Sequence, residues 1–531
     1  MSEDREIHTD VVVVGAGLGG VAAALAAARA GLRVVLAEET DWIGGQLTAQ
    51  GVPSDEHPWI EQFGCTASYR QLRDGIRDYY RRWYPLTPEA RARRALNPGN
   101  GKVSPLCAEP RVSLAVLEGM LAPSRADGRL DVRLRHRPVA ATVDDDTVTS
   151  VTLHDLDGNR TLTVTAPYVL DATETGELLP LTGTEYITGF ESQDDTGEPS
   201  APRERQPLNM QAVSWCFAVD HRPGEDHTID KPDQYGFWRD YQPPYWPDRM
   251  FSMVAPSPQT LEPAPRYFLP HDDDPARGAD RDLWAFRRIL ARDNFAPGAF
   301  ASDVVIVNWP MIDYLEGPLF EVDADEAAKH AVGARQMSRS FLYWMQTEMP
   351  TPDGGTGLRG LRLRGDVFGT THGLAKAPYI RESRRIAAEY TIVEQDVSLA
   401  LRGQQGAKAY PDSVGIGSYR IDLHPSTGGD NYIDVGSLPF QIPLGALLPV
   451  RTRNLLPAAK NIGTTHITNG CYRLHPVEWN VGESAGLLAA YCLTHKVTPH
   501  QVRADDIHLA AYQKALTEHG VELAWPTVYG Y

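Results

Sequence analysis

The opening of the chain carries a strand–turn–helix–strand pattern that few folds can accommodate. Val11–Val14 predicts a fully buried parallel strand, and the alanine-rich stretch after it predicts a helix. Arg33–Ala37 predicts a second strand, which ends at the acidic residue Glu38. The turn between the first strand and the helix fits G-x-G-x-x-G, with Gly15, Gly17 and Gly20. This order of elements predicts a βαβ unit that binds a dinucleotide.

The residues of this turn suit the binding of a dinucleotide for physical reasons. Gly15 permits the tight turn, and Gly17 lets a pyrophosphate approach the backbone. The predicted cofactor site includes Gly15, Ala16 and Gly17. Gly20 lets the helix pack closely on the strand, and the helix N-terminus offers free N–H groups to phosphates. Glu38 can accept hydrogen bonds from ribose hydroxyls and would repel the 2′-phosphate of NADP. The alternative is a glycine-rich turn in an ordinary βαβ unit, and the pattern alone does not separate FAD from NAD.

Charge and cysteine usage exclude several classes of protein. The 531 residues carry a formal charge of −18, so we expect no binding to nucleic acid or to an anionic membrane. The five cysteines form no C-x-x-C pair, which argues against a disulfide framework, a zinc ribbon or an iron–sulfur cluster, and we predict no metal site. No apolar run is long enough to span a bilayer, and the polar N-terminus predicts a cytoplasmic protein.

A second glycine pair lies just after the ribose acid, in the segment ETDWIGGQLTAQG. With the later segments YVLDATETGELLPLTG and NLLPAAKNIGTTHITNGCYRLHPVEWNVGESAGLLAAYCL, it resembles FAD-dependent oxidoreductases with the glutathione-reductase-like fold. The chain is similar to the broad bacterial FAD-dependent oxidoreductase family, which groups with fumarate-reductase-like and tricarballylate-type flavoproteins. The resemblance covers most of the chain and is weakest over residues 191–300. It implies FAD as the cofactor and leaves the substrate open.

The resemblance also implies positions for further cofactor-binding residues. In this family the glycine pair runs along the pyrophosphate, and the residues after it approach the flavin ring. The strand that ends at Asp171 turns back near the adenine, and the C-terminal block returns the chain to the flavin. The residues implied in this way are Gly44, Gly45, Gln46, Asp171, Ala172, Asn461 and Val481.

The predicted fold class is α/β, with a glutathione-reductase-like FAD-binding Rossmann domain and an inserted α+β substrate domain. We expect the FAD-binding domain to consist of residues 1–183 and 441–531, and the substrate-binding domain to consist of residues 184–440. Leu130–Thr165 predicts a small antiparallel sheet. Residues 69–84 predict a solvated basic helix, and Glu382–Tyr390 predicts a helix in which Glu382 pairs with nearby arginines.

The C-terminal block predicts a strand at Leu455–Ala458, a polar loop over residues 460–474 and then a helix. Pro476 suits the first position of that helix, and His475 before it is a candidate N-cap. A helix N-terminus that points at the flavin would stabilise the negative charge that develops on reduction. Gly482 and Gly486 predict a close approach of this helix to another element.

A short motif occurs twice and supplies the candidate catalytic residues. Tyr-Arg followed by Leu-His-Pro is found in SYRIDLHPS, at 418–426, and in CYRLHPVEW, at 471–479. A histidine can act as a base near neutral pH, and an arginine can bind a carboxylate or hold the charge of a reduced flavin. The candidates are His466, Tyr472, Arg473 and His475 in the later segment and Tyr419, Arg420 and His424 in the earlier one. Alternatively, one copy caps a helix while the other forms ion pairs between domains.

No second dinucleotide pattern was found, so a built-in NAD(P)H domain is not expected. We therefore predict hydride transfer from a small organic metabolite to flavin N5, as in an oxidase or dehydrogenase. The alternatives are a flavin monooxygenase that uses external NAD(P)H and an FAD-dependent reductase of an activated alkene. An RNA-binding flavoprotein and a scaffold with structural FAD are further alternatives. The expected partner is a small-molecule substrate, and a homodimer is possible on this sequence.

Overall fold

A computed structural model of the chain describes residues 5–272, 274–528 and 530. Its centre is a five-stranded parallel sheet. In spatial order, the strands are Leu455–Pro457, Tyr168–Asp171, Val11–Val14, Val34–Glu38 and Leu130–Leu134. The predicted βαβ unit is confirmed, with its helix at Leu18–Arg29 and its second strand one residue later than predicted.

A long helix near the end of the chain, His475–His495, which we call the C-terminal helix, lies against the helix Leu18–Arg29 at backbone distance. A Cβ atom on Gly482 would be 1.9 Å from the carbonyl oxygen of Gly19, and a Cβ on Gly486 would be 2.3 Å from that of Ala23. Only residues without side chains allow this approach, so the predicted close packing at both glycines is confirmed. The two ends of the chain thereby form one layer on the parallel sheet.

A second sheet has four strands, Arg5–His8, Arg160–Thr165, Thr147–Asp155 and His136–Asp144. The last three pair antiparallel, as predicted, whereas Arg5–His8 joins the edge in parallel. The predicted start of this sheet at Leu130 is wrong. The strand Leu130–Leu134 pairs with Val34–Glu38 and belongs to the parallel sheet.

The middle of the chain contains another sheet and the longest helix of the described residues. The helix is Ala324–Thr347. The sheet is antiparallel, and its strands in spatial order are Arg288–Leu290, Val304–Val307, Phe217–His221 and Leu361–Leu363. The fold is therefore mixed α/β, whereas the glutathione-reductase-like subtype and the domain boundaries at 183 and 440 stay predictions.

Two local predictions in the middle of the chain and near its start need correction. The helix predicted at 69–84 forms at Ala67–Trp83, but Arg73 and Arg77 are buried because they form ion pairs with Glu56 and Glu61 instead of facing solvent. The segment 382–390 forms no helix, although Glu382 does pair with Arg385, because these residues lie in an extended segment beside Asn461.

The C-terminal block also differs in detail. The predicted loop over 460–474 contains a helix at His466–Tyr472, which Thr465 caps. His475 is the first residue of the last long helix and Leu474 takes the N-cap position, so the predicted cap is wrong. The imidazole of His475 instead bonds to the backbone of another segment, as described below.

The remaining elements connect these layers. The other helices are Pro88–Ala92, Pro110–Ala126, Leu178–Thr182, Gln193–Thr196, Tyr235–Asp240, Leu283–Phe286, Glu394–Val397, Leu399–Arg402, Pro499–Ala504 and Asp506–Glu518. The two-stranded pairs are Val213–Ser214 with Asp313–Tyr314, Val254–Pro256 with Pro263–Pro265, Tyr186–Ile187 with Arg385–Ile386, Ser413–Gly417 with Phe440–Pro443, and Ile421–Leu423 with Ile433–Val435. Within the described residues, no helix combines the length and the apolar composition needed to cross a membrane.

Candidate functional site

A cavity of about 450 Å³ opens where the parallel strands end. Its first wall contains Gly15, Glu38 and Ala172, each at or just after the carboxyl end of a strand. Ligands of open parallel sheets bind at this edge, and the volume lies in the range of small-molecule sites. The opposite wall contains Leu319, Ala327, Ala328, Ala331, Ala377, Pro378 and Ile380.

The first wall is built mainly from backbone, in a turn region that we call the glycine cradle, formed by Gly15, Gly17, Gly20, Gly44 and Gly45. Gly15 has φ +92°, and a Cβ there would be 2.2 Å from the carbonyl oxygen of Ala172. A Cβ on Gly20 would be 1.9 Å from the oxygen of Gly15. A Cβ on Gly45 would be 2.8 Å from Cα of Gly17. Side chains at these positions would therefore fill or distort the cradle.

Glu38 lines the cavity at the end of its strand, as predicted for a ribose acid. Its carboxylate accepts hydrogen bonds from the N–H of Ala16 at 2.8 Å and from the N–H and hydroxyl of Thr40 at 2.9 and 2.8 Å. Burial raises the pKa of Glu38 to about 7 in spite of these bonds. Ala16 also accepts the N–H of Gly44 at 2.7 Å, which joins the two glycine segments of the cradle.

Three charged side chains that the sequence did not single out surround the start of the first helix. Glu478 accepts the N–H of Gly19 at 3.3 Å and the amide of Gln46 at 2.7 Å. The buried Lys460 forms an ion pair with Glu174, which lines the cavity. Burial raises the pKa of Glu478 to about 7, with the ammonium of Lys460 opposing the shift. The acid in the first turn of the C-terminal helix was the sequence signal that could have identified Glu478.

This part of the structure fits a flavin dinucleotide. The helix that begins after Gly17 has backbone N–H groups of the kind that bind phosphates, of which the N–H of Gly19 is donated to Glu478 in this structure. The side-chain oxygens Oε1 of Gln46 and Gln50 are buried and have no hydrogen-bond partner among the described residues. Unpaired buried acceptors are costly, so these two atoms are suited to the N–H donors of a bound ring. Lys460 offsets part of the negative charge of Glu174 and Glu478.

Seven of the twelve residues predicted for the cofactor site are not among the residues that line the cavity: Ala16, Gly20, Gly44, Gln46, Asp171, Asn461 and Val481. The last three of these lie in contacts outside the glycine cradle. The carboxylate of Asp171 accepts the N–H groups of Thr173 at 3.0 Å and Leu178 at 3.2 Å, and burial raises its pKa to about 6. The side chain of Asn461 donates to the carbonyl of Asp171 at 3.0 Å. Val481 is fully buried in the core. Asp171 and Asn461 thus fix the turns that carry the lining residues.

A second polar group lies beside the cavity, centred on the buried Tyr379, whose chain neighbours Pro378 and Ile380 line the cavity wall. We call Arg287, Arg381, Arg473 and Tyr379 the arginine cluster. Arg473 donates to the Tyr379 hydroxyl at 2.6 Å, and the guanidinium of Arg381 lies 4.8 Å from the centre of the Tyr379 ring. Burial raises the pKa of Tyr379, and Arg473, Arg381 and Arg287 oppose the shift.

The two copies of the repeated motif meet at this cluster. Arg473, from the later copy, donates to the carbonyl of Asp422, in the earlier copy, at 3.1 Å. The strand Ile421–Leu423 packs on the helix His466–Tyr472, which brings these segments together. Gln46 donates to the carbonyl of Arg473 at 3.2 Å, so the cluster is also joined to the glycine cradle.

His424 is bonded to a fully buried carboxylate next to Arg381. Its Nδ1 lies 2.6 Å from Oδ2 of Asp313, whose other oxygen accepts from Ser214 at 2.6 Å and pairs with Arg381 at 3.0 Å. Burial works to raise the pKa of Asp313, but Arg381 and His424 hold it below its usual value. Among the described residues, Nε2 of His424 has no hydrogen-bond partner.

Both ring nitrogens of His475, in contrast, contact the backbone. Nδ1 accepts the N–H of Asp55 at 3.0 Å, and Nε2 lies 3.2 Å from the carbonyl of Val52. Burial lowers the pKa of this imidazole. His475 therefore fastens the segment 52–55 to the start of the C-terminal helix.

The other candidates from the repeated motif lie in different surroundings. His466 is 3.0 Å from Glu382 through Nδ1 and stacks on Phe190 with ring centres 4.2 Å apart. Tyr472 is buried, and its hydroxyl donates to the carbonyl of Gln441 at 2.8 Å. Arg420 forms an ion pair with Asp434 across the hairpin that follows it. The structure therefore brings His424 and Arg473 to the cluster and places these three residues in other contacts.

Comparison with known proteins identifies the family. A family model described as FAD dependent oxidoreductase matches residues 10–516. This chain belongs to that family. It is accordingly an enzyme that uses FAD, and the resemblance inferred from the glycine motifs is confirmed.

Individual relatives are distant. The hydroxyneurosporene desaturase of Rhodobacter capsulatus is 53% identical over 56 residues, which is 10% of this chain and 11% of that protein. A flavocytochrome c3 fumarate reductase is 21% identical, covers 31% of this chain and 33% of its own, and has a TM-score of 0.20. The glycerol-3-phosphate dehydrogenase of Bacillus halodurans, solved with FAD, is 16% identical, with 41% of each chain covered and a TM-score of 0.23. The match spans about a tenth of the length of the desaturase. At TM-scores this low, the two solved structures give no information about the substrate of this chain.

Proposed function

We propose that this enzyme oxidises a small organic molecule at a C–H bond that carries a hydroxyl or amino group, with His424 as the general base. The observation that carries the proposal is the hydrogen bond of 2.6 Å between Nδ1 of His424 and the buried carboxylate of Asp313. An imidazole that is oriented by a carboxylate and keeps its second nitrogen free is the arrangement that proton abstraction requires.

The proton on the His424 ring follows from the state of Asp313. Since its pKa is held below the usual range, Asp313 is ionised near neutral pH and can only accept hydrogen bonds. Nδ1 of His424 therefore carries the proton that is shared with Asp313, and in the neutral form of the ring the lone pair is on Nε2. Nε2 is then the atom that takes the proton from the substrate hydroxyl or amine.

The proposed FAD site is the cavity with the glycine cradle. The residues proposed to contact the cofactor are Gly15, Ala16, Gly17, Gly20, Glu38, Gly44, Gly45, Gln46 and Ala172, while Asp171, Asn461 and Val481 support them from behind. When bound, FAD supplies the acceptor for the hydride that leaves the substrate carbon. The contact between Gln46 and the backbone of Arg473 supports a substrate site next to this cofactor site.

The origin of these residues supports the predicted division of the chain. The cradle comes from residues before 183, with Lys460 and Glu478 contributed from beyond 441. Asp313, Tyr379, Arg381 and His424 all come from the segment 184–440, which we propose as the substrate-binding domain.

The test is an anaerobic screen of the FAD-loaded enzyme for bleaching of the flavin absorbance. Hydroxy acids, sugars, amines and unsaturated acids are tried singly, and NADH and NADPH are tried in separate samples. The proposal expects bleaching by a compound with an oxidisable C–OH or C–NH group, without either nicotinamide cofactor.

Two other results would contradict the proposal. Bleaching only by NADH or NADPH, followed by entry of labelled oxygen into an added organic compound, would indicate a monooxygenase. A chemically reduced enzyme that is reoxidised by an unsaturated acid, with no compound able to bleach it, would indicate an alkene reductase.

A further inference from the structure

The arginine cluster and its neighbours contain an unusual set of unpaired buried atoms. Five side-chain nitrogen atoms there are buried and have no hydrogen-bond partner among the described residues. They are Nε2 of Gln211, Nε of Arg287, Nδ2 of Asn308, Nε of Arg381 and Nε of Arg473. All five are donors, and an unpaired buried donor costs free energy unless a ligand or water pairs with it.

These donors belong to one contiguous group of contacts. Arg381 lies 3.5 Å from the side-chain oxygen of Asn308 and donates to the carbonyl of Ala212, next to Gln211 in the chain, at 2.7 Å. Gln211 in turn accepts the backbone N–H of His424 at 3.4 Å. The free donors of Gln211, Asn308 and Arg381 are thus on residues that surround the proposed base.

The buried carboxylate beside the cluster is already in use. Asp313 has both carboxylate oxygens engaged, by Ser214 and Arg381 on one side and by His424 on the other. The protein therefore leaves a surplus of donors here, and the missing partner must be rich in acceptors. A carboxylate offers about four lone-pair sites without bringing a competing donor.

We propose that Arg381 of the arginine cluster, together with the neighbouring Asn308 and Gln211, binds a carboxylate group of the substrate through the free donors of these three residues. This inference rests on the proposed function and narrows the substrate class to small organic acids with an oxidisable carbon near the carboxylate. The carboxylate then fixes the substrate, and His424 Nε2 reaches the hydroxyl or amino group beside it.

The charge balance of the cluster favours a singly charged group. Arg287 lies 3.4 Å from Asp55, Arg381 lies 3.0 Å from Asp313, and Arg473 lies 3.5 Å from Asp422.

Each arginine thus has an aspartate partner, so the cluster is largely neutralised before a ligand enters. A dianionic phosphate would meet repulsion from these three carboxylates, whereas a carboxylate brings one charge and planar geometry that match a guanidinium.

The probe is propionate, with propionamide as its neutral analogue of the same shape and inorganic phosphate as the dianion. Binding to the FAD-loaded enzyme is measured by calorimetry and by the change in the visible flavin spectrum. We expect propionate to bind about ten-fold or more tightly than either of the other two compounds. Equal affinity for propionamide, or tighter binding of phosphate, would overturn the assignment.

Two variants locate the site. Arg381→Gln and Asn308→Ala each remove a free donor, and we expect each to weaken propionate binding about ten-fold, because hydrogen bonds to charged groups are strong. Arg451→Gln, at a partly exposed arginine paired with Asp146 and Glu185, is the control and should leave the affinity unchanged. Circular dichroism and FAD content verify folding, and Asn308→Ala decides the matter if Arg381→Gln does not fold. Unchanged affinity in Asn308→Ala would place the ligand elsewhere.

The carboxylate assignment and the proposed function can fail separately. Bleaching by a neutral alcohol or amine, without any binding of propionate, would overturn the carboxylate assignment and leave the proposed oxidation standing. Binding of propionate that Asn308→Ala weakens, with no bleaching by any organic acid, would support the carboxylate site and contradict the oxidation.

Discussion

The glycine cradle and the arginine cluster are neighbours built by opposite means. The cradle is made of backbone, and its shape depends on positions where a single added carbon would overlap a carbonyl oxygen. The cluster is made of long side chains, which are held by ion pairs between segments far apart in the chain. The cradle shows that a local motif can form a cofactor site, whereas the cluster, as a proposed substrate site, depends on the assembled fold.

The two regions also differ in the polar groups that they contain. Acidic side chains surround the cradle, with Glu38, Glu177 and Glu478 all having a pKa raised to about 7 by burial. The cluster holds three arginines with a surplus of free N–H donors. A dinucleotide and an organic acid would therefore be recognised by different interactions within one connected site.

The largest effect should come from the cradle, where backbone leaves no space. In Gly20→Ala, the new Cβ would lie 1.9 Å from the oxygen of Gly15. We expect the free energy of unfolding to fall by about 3 kcal/mol or more and the purified protein to lose most of its FAD. Thermal unfolding and the ratio of flavin to protein absorbance measure both effects.

The matched control for this substitution is Gly119→Ala. Gly119 lies in the helix Pro110–Ala126, and a Cβ there meets nothing within 4 Å. Alanine has the higher helix propensity, so this variant should keep its FAD and gain up to about 1 kcal/mol of stability. Normal FAD content in Gly20→Ala would show that the cradle does not hold the cofactor.

A smaller effect, confined to the reaction, is expected in the cluster. Asp313→Asn keeps the size of the side chain but removes the charge that holds the proton on Nδ1 of His424. We expect anaerobic bleaching by the substrate to slow by about 100-fold while the FAD content stays normal. Loss of FAD together with activity would instead indicate that Asp313 acts on the cofactor site, and the contrast between the two regions would be wrong.

The smallest effect concerns Glu38 in the cradle. Because the folded state raises its pKa from 4.5 to about 7, the folded protein binds a proton there that the unfolded chain does not bind between these values. Its contribution to stability is therefore lost as the pH rises through this window, by about 2 kcal/mol between pH 5 and 8. Glu38→Gln should remove that part of the pH dependence in urea unfolding of the apoprotein. If the free energy of unfolding changed with pH in the same way in the wild type and in Glu38→Gln, that result would contradict the raised pKa of Glu38.

How far each region could be predicted follows from how it is built. Gly15, Gly17 and Gly20 predicted the first strand, helix and turn, because the conformations they permit are local properties of the chain. The helix predicted at Glu382–Tyr390, in which Glu382 was expected to pair with nearby arginines, did not form, although Glu382 does pair with Arg385. Their ion pair is satisfied in an extended segment, and the buried partners His466 and Glu191 come from elsewhere in the chain.

In the candidate site, too, contacts between distant segments could not be predicted from local sequence patterns. The repeated Tyr-Arg and Leu-His-Pro motif pointed to Arg473, which contacts Tyr379, and to His424, which contacts Asp313, the ion-pair partner of Arg381. It gave no sign of Asp313 or Arg381, whose contacts bridge large distances along the chain. Arg73 was predicted to face solvent, but it is buried. Its partner Glu56 lies outside the helix, so the spacing of charges within the helix did not indicate the ion pair. Tertiary pairing of this kind leaves no spacing pattern in a single sequence.

The most direct test of this account compares the wild-type enzyme with His424→Gln, both loaded with FAD, in anaerobic stopped-flow experiments with an organic acid that bleaches the wild type. The account predicts equal FAD content in the two proteins and bleaching slowed by about 100-fold in the variant. Bleaching at the same rate in His424→Gln would contradict the assignment of the base at the arginine cluster.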